Sequence, residues 1–186
     1  MKNKIVLIIV AFVGLIGFIA LVLFDKESYA LSDNEKRDWN IYFSNLETSI
    51  VNGNAFVPME PELEATSIKA YDVLVSQKGD FATFTFDVVN SGDIDARLES
   101  LSKLEPTCTS LALPAVVSDE ELVCNNLEFK LTYTKNNKEV RINDIINAHS
   151  KENITMRVGV SNIDESLSDD VQITLYDMNL IYSHSN

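Results

Sequence analysis

The stretch Phe81–Asn90 reads FATFTFDVVN, and its alternation decides the fold class. Phe84, Phe86 and Val88 fall on one side and Thr83, Thr85 and Asp87 on the other, the period of two that a half-buried strand requires. Phe, Thr and Val all suit a pleated surface. Ahead of it, residues 68–75 (IKAYDVLV) form a less regular strand, and Lys78-Gly79-Asp80 turns one into the other, so the two are expected to pair. Behind it, Asn90-Ser91-Gly92-Asp93 is a turn, after which Ile94, Ala96 and Leu98 resume the period.

The same pattern extends outward in both directions. Residues 39–43 (WNIYF) place Trp39, Ile41 and Phe43 on one face, which assigns Trp39 to the core. Asn52-Gly53, Pro58 and Pro61 punctuate the next segment, where a short strand is expected at 55–57 that cannot extend past Pro58. Leu127, Phe129, Leu131 and Tyr133 alternate with polar residues, and Asn136-Asn137 turns that strand back as a hairpin toward 139–142. A short apolar segment at 144–148 precedes Ile154, Met156, Val158 and Val160, which alternate again, and Val171, Ile173 and Leu175 open the closing strand at 171–182. Residues 105–124, with two prolines and Asp119-Glu120-Glu121, have no strand period and read as an excursion; 162–170 reads as a solvated acidic loop. The expectation is an all-β domain at 39–186, an immunoglobulin-like antiparallel sandwich of about seven or eight strands with no helix of any length.

The other organising stretch is the apolar run 5–24 (IVLIIVAFVGLIGFIALVLF). A helix of that length spans roughly 30 Å, the thickness of a bilayer's hydrocarbon core. Lys2 and Lys4 precede it and mixed charges follow, so the amino terminus is expected in the cytoplasm and residues beyond the 26–38 stalk outside the cell membrane. The alternative is a cleaved export signal ending at Ser28-Tyr29-Ala30, which the length of the run disfavours. Both readings export the same domain. Within the stalk, Ser32 and Glu35 have capping-box spacing, and a flexible tether is the alternative.

The chain of 186 residues carries 15 basic and 28 acidic side chains, a net charge of −13. Two of the bases, Lys2 and Lys4, lie ahead of the run, so the exported part is more acidic still. Such a surface repels nucleic acid and anionic lipid. The two cysteines, Cys108 and Cys124, lie in the exported part where oxidation is permitted, and a disulfide between them is expected, with two separate thiols as the alternative. They have neither CxxC spacing nor a neighbouring histidine, so a metal role is not expected of them.

In order of features the chain resembles a family of small exported proteins of low-GC Gram-positive bacteria. The likeness rests on the start formed by Trp39, Ile41, Phe43 and Asn45 and on a centre of Gly79-Asp80, Phe84, Asp87-Val88-Val89-Asn90, Gly92 and Ile94-Asp95-Ala96. A more distant likeness is to camelysin and the TasA-like biofilm-matrix proteins, which implies surface or matrix assembly. The chain departs from the latter in lacking their short signal and early cleavage. It also lacks HExxH, so the proteolysis attributed to camelysin relatives attaches to no residue here.

His149 and His184 are the only histidines and neither sits in a catalytic motif, so no enzyme activity and no cofactor are expected. Asp87, Asn90, Asp93 and Asp95 gather around one turn and are the weak candidates for Ca²⁺. Their spacing is not that of an EF-hand, and Asn and Asp habitually bond their own turn backbone, so no metal is expected. The functional expectation is a membrane-anchored surface module that binds an extracellular protein or polymer. A self-associating matrix or fibre subunit is the alternative and a hydrolase comes third.

Overall fold

Fourteen strands and one helix are described, and every strand pair is antiparallel. In chain order they are β1 (Ile41–Asn52), β2 (Phe56–Met59), β3 (Leu63–Glu64), β4 (Ser67–Ile68), β5 (Tyr71–Val75), β6 (Phe81–Asn90), β7 (Ala96–Leu101) and β8 (Thr107–Ser110). Helix α1 (Val117–Asn125) follows, then β9 (Leu127–Tyr133), β10 (Lys138–Glu139), β11 (Ile145–Ile146), β12 (Ser150–Val160), β13 (Val171–Leu175) and β14 (Met178–His184). The computed structural model describes residues 38–102, 105–161, 163 and 166–185. The apolar run at 5–24, the candidate cleavage site and the stalk up to residue 37 lie outside the described residues, and no described helix is long and apolar enough to cross a membrane.

One layer has the order β1-β6-β12-β9-β10, with β6 at its heart between β1 and β12. Its inward row, Ala82, Phe84, Phe86 and Val88 on β6 and Ile154, Met156 and Val158 on β12, is fully buried, as the alternation predicts. The facing layer comes in two halves, β2-β5-β13-β8 and β11-β7-β14-β4-β3. The halves share one register: Ile68 faces Met178 in one and Tyr71 faces Leu175 in the other. Between them the ladder is interrupted where the Asp177 carboxylate takes the Ala70 N–H at 3.0 Å and the Lys69 ammonium at 3.1 Å. A side chain that competes for backbone donors breaks a strand locally without changing which chains lie side by side. Across the layers Tyr71 meets the edge of Phe84 at 5.3 Å and its hydroxyl reaches Met156 Sδ at 3.3 Å.

Several expectations need correction. The strand count is fourteen rather than seven or eight, because 67–75 and 171–184 are each split at that interruption and short strands form at edges. β5 and β6 do not pair: β5 lies between β2 and β13, and residues 76–80 carry the chain from one layer to the other. A turn sequence signals reversal but not whether the reversal stays within one sheet. Pro58 sits inside β2, which the edge position and a register shift between Phe56 and Met59 permit, since an edge strand need not donate on both sides. The loop 162–170 is not wholly solvated, for Ile163 is buried and the Ser168 N–H donates to buried Asp119.

The excursion at 105–124 also has regular structure. β8 pairs with β13, and α1 packs beside it with only Asp119 and Val123 buried. Asp119 and Glu120 occupy the first helical turn, where negative charge suits the helix dipole, and Glu120 accepts the Ser110 N–H at 2.9 Å. With no apolar stripe the helix could not be read from periodicity; tertiary contacts and the link between Cys108 and Cys124, whose Cα atoms lie 5.8 Å apart, hold it. Reduction is expected to lower stability by about 2–3 kcal/mol and to loosen α1 and β8 while the sheets stay folded. Denaturant titration with and without reductant measures this, and two free thiols in the unreduced, denatured protein would contradict the link.

Candidate functional site

Apart from the core, one surface brings the two ends of the domain together. The segment 38–40 lies along the turn after β6: the Ser91 N–H donates to Asn40 O at 3.0 Å and the Asp93 N–H to Asp38 O at 2.9 Å. Gly92 makes this approach possible, since a Cβ there would stand 2.5 Å from Asp38 O and 2.8 Å from Asn40 N. Trp39 is thereby held over the last residues of β14, with its ring centroid 4.4 Å from that of His184. It is half-buried at the surface and not part of the core cluster, which corrects its assignment from alternation; regular pairing starts two residues later, at Ile41.

Beside this ring pair opens a cleft of about 480 Å³ lined by Trp39, Arg97, Glu99, Tyr182, Ser183 and His184. Arg97 and Glu99 alternate with buried Ala96 and Leu98 on β7, so both point outward. Arg97 stands opposite Ser183 on one side and Ile145 on the other, which fixes its backbone from both edges. Its guanidinium makes only a 3.5 Å contact to His184 O, and no carboxylate among the described residues pairs with it. Ser183 Oγ is closed off from solvent and has no hydrogen-bond partner among the described residues. Burial pushes the neighbouring Tyr182 hydroxyl up, with Tyr133 and Asp144 adding to it, so Tyr182 stays neutral. Among the described residues the other buried side-chain polar atom without a partner is Arg157 Nε, which lies outside this cleft.

Compared with known proteins, the chain matches no family model, no curated protein and no solved structure.

The residues singled out as weak Ca²⁺ candidates are not brought to one point. Asp87, on the outer face of β6, accepts from Lys151 Nζ at 2.8 Å, Asn153 Nδ2 at 2.9 Å and Asn45 Nδ2 at 2.8 Å. Burial raises its pKa, but the hydrogen bonds from Lys151, Asn153 and Asn45 outweigh it and hold the carboxyl below its ordinary value. Asn90 donates to Ile94 O and Ile146 O and accepts the Gly92 N–H, while Asp95 accepts the Ala148 N–H. Asp93 accepts the Asp38 N–H and pairs with His149 Nε2 at 3.0 Å. Each is committed to partners of its own, and among the described residues no group of three or more His, Cys, Asp or Glu side chains could hold a metal ion.

A second hollow, of about 240 Å³, is lined by Tyr133, Lys135, Lys138, Asp144 and Glu152, but its polar groups already bond one another. The cleft at Trp39 was not legible beforehand. Its residues come from 39, 97–99 and 182–184, and only pairing β7 with β14 joins them; the available signal was that the single tryptophan lies at the domain's start.

Proposed function

We propose that the chain is an extracellular binding module, an immunoglobulin-like sandwich held at the cell surface by the run at 5–24, and that it binds through the Trp39 cleft. The observation that carries this reading is the combination, in one depression, of an aromatic wall at Trp39, the outward Glu99 carboxylate and an Arg97 guanidinium that no carboxylate among the described residues pairs. The module needs no catalytic group. Topology is tested by fractionation: full-length protein in the membrane fraction, with the domain cut by external protease, supports the anchor, and a mature amino terminus at Leu31 replaces it with a cleaved signal. Binding is tested by sedimenting the full chain, in detergent, with detergent-extracted cell envelopes. Trp39→Ala and Arg97→Ala, each checked for an unchanged melting temperature, are expected to lower retention about tenfold or more. Equal retention of the variants and the native chain would overturn the reading.

The alternative, a structural subunit that self-associates, draws on a different surface. Leu113 is 99 % exposed, with Leu111 beside it on the loop between β8 and α1 and Val117 at the start of α1 also exposed, in the stretch that the cysteine link braces. Concentration-dependent fibres in electron micrographs, lost in Leu113→Asp, would favour that reading over the first.

A further inference from the structure

The chemistry of the Trp39 cleft narrows its ligand, and this step rests on the binding reading above. We infer that the cleft takes a neutral saccharide, with one pyranose lying against Trp39. The cleft offers three kinds of contact at once: an aromatic face, the N–H donors of Arg97 and the carboxylate acceptor of Glu99. A pyranose presents the matching set. Its ring C–H bonds form an apolar face that suits the negative face of an indole, and its rim of hydroxyls donates and accepts in alternation.

Spacing agrees with this. Arg97 and Glu99 are two residues apart on one face of β7, so their stems stand roughly 7 Å apart, a separation that lets a donor and an acceptor address opposite edges of one sugar ring. The cleft's volume of about 480 Å³ falls within the range of small-ligand sites.

Charge separates the saccharide from its competitors. One cation and one anion line the cleft, so its formal charge cancels, while the chain as a whole stands at −13. An acidic polymer would be repelled by that field, and a basic one would leave Arg97 facing a like charge. An extended peptide adding as a strand needs a free ladder edge, and at Arg97 the β7 backbone is already paired on both sides. A neutral polyol meets none of these objections.

Trp39 is the only tryptophan in the chain, so its emission reports this cleft alone. The full chain is titrated in detergent with a β-1,4-linked N-acetylglucosamine tetramer and with maltotetraose. An oligogalacturonate and a C-terminally free hexapeptide of neutral side chains serve as controls. A saturable change of emission in the millimolar range with at least one neutral tetrasaccharide, and none with the controls, is expected. Arg97→Ala and Glu99→Ala are each expected to weaken that response about fivefold or more. No response to either neutral saccharide, a response to the peptide or the acidic sugar alone, or an unchanged response in both variants would overturn the inference. Envelope retention that still depends on Trp39 and Arg97, with no saccharide response, would leave the binding module standing and remove only its ligand class.

Discussion

Replacing Asp80 by alanine is expected to destabilise the domain by about 3–5 kcal/mol, the cost of stranding several buried donors at once. The Asp80 side chain is fully buried. Its Oδ2 accepts the N–H groups of Ser76 at 2.7 Å and Gln77 at 3.0 Å, and its Oδ1 accepts the Asn54 N–H at 2.9 Å. One carboxylate therefore closes the crossing from β5 to β6 and ties it to the turn after β1. The backbone around it is equally committed, with the Val160 N–H donating to Asp80 O at 2.9 Å and the Gly79 N–H to Val160 O at 2.8 Å. Asp80→Asn keeps the shape but turns an amide N–H₂ toward at least one backbone donor, so it should recover only part of the loss. Urea denaturation of the three proteins checks the order native, Asn, Ala. Variants within about 1 kcal/mol of the native chain would mean that water replaces the carboxylate at no great cost.

Gly159→Ala is expected to cost more than about 3 kcal/mol, beyond the usual range for an added methyl, because what it meets is backbone. A Cβ at Gly159 would lie 2.2 Å from Asp80 O and 2.5 Å from Phe81 Cα. β12 is an inner strand there, with Phe81 opposite on β6 and Glu128 opposite on β9, so neither side can yield without breaking a ladder. The Arg157 guanidinium stacked 3.7 Å above the Phe81 ring closes the neighbouring space. Thermal unfolding of Gly159→Ala beside Gly79→Ala makes the comparison informative. Gly79 has open space around its missing Cβ and only a positive φ of 86° to lose, a backbone strain of order 1 kcal/mol. Equal losses at the two positions would show that steric conflict is not what fixes Gly159.

Much of the sheet content was legible because local alternation and burial coincide. On β6, β12 and β13 the residues read as inward facing are buried without exception. Pairing was less legible: Lys78-Gly79-Asp80 marks a reversal, and nothing local says whether the chain returns beside itself or crosses to the other layer. Helix α1 escaped notice because its only buried residues are Asp119 and Val123, too few to make a stripe. Asp119 could be read only as surface charge, yet it is buried as the acceptor for Ser168, a partner 49 residues away.

The sequence by itself determined the fold class, through the period of two in Phe81–Asn90 and its neighbours, and the acidic character of the surface, through composition. Both are sums over local features, and local features survive in an unfolded chain. Tertiary structure alone decided that β5 and β6 face each other across the core, that Asp80 closes that crossing, and that Trp39 meets Arg97, Ser183 and His184 in one cleft. These are contacts between residues as many as 145 positions apart. They depend on which strands become neighbours, and that choice follows from the joint burial of every apolar row in one core, which no single segment encodes.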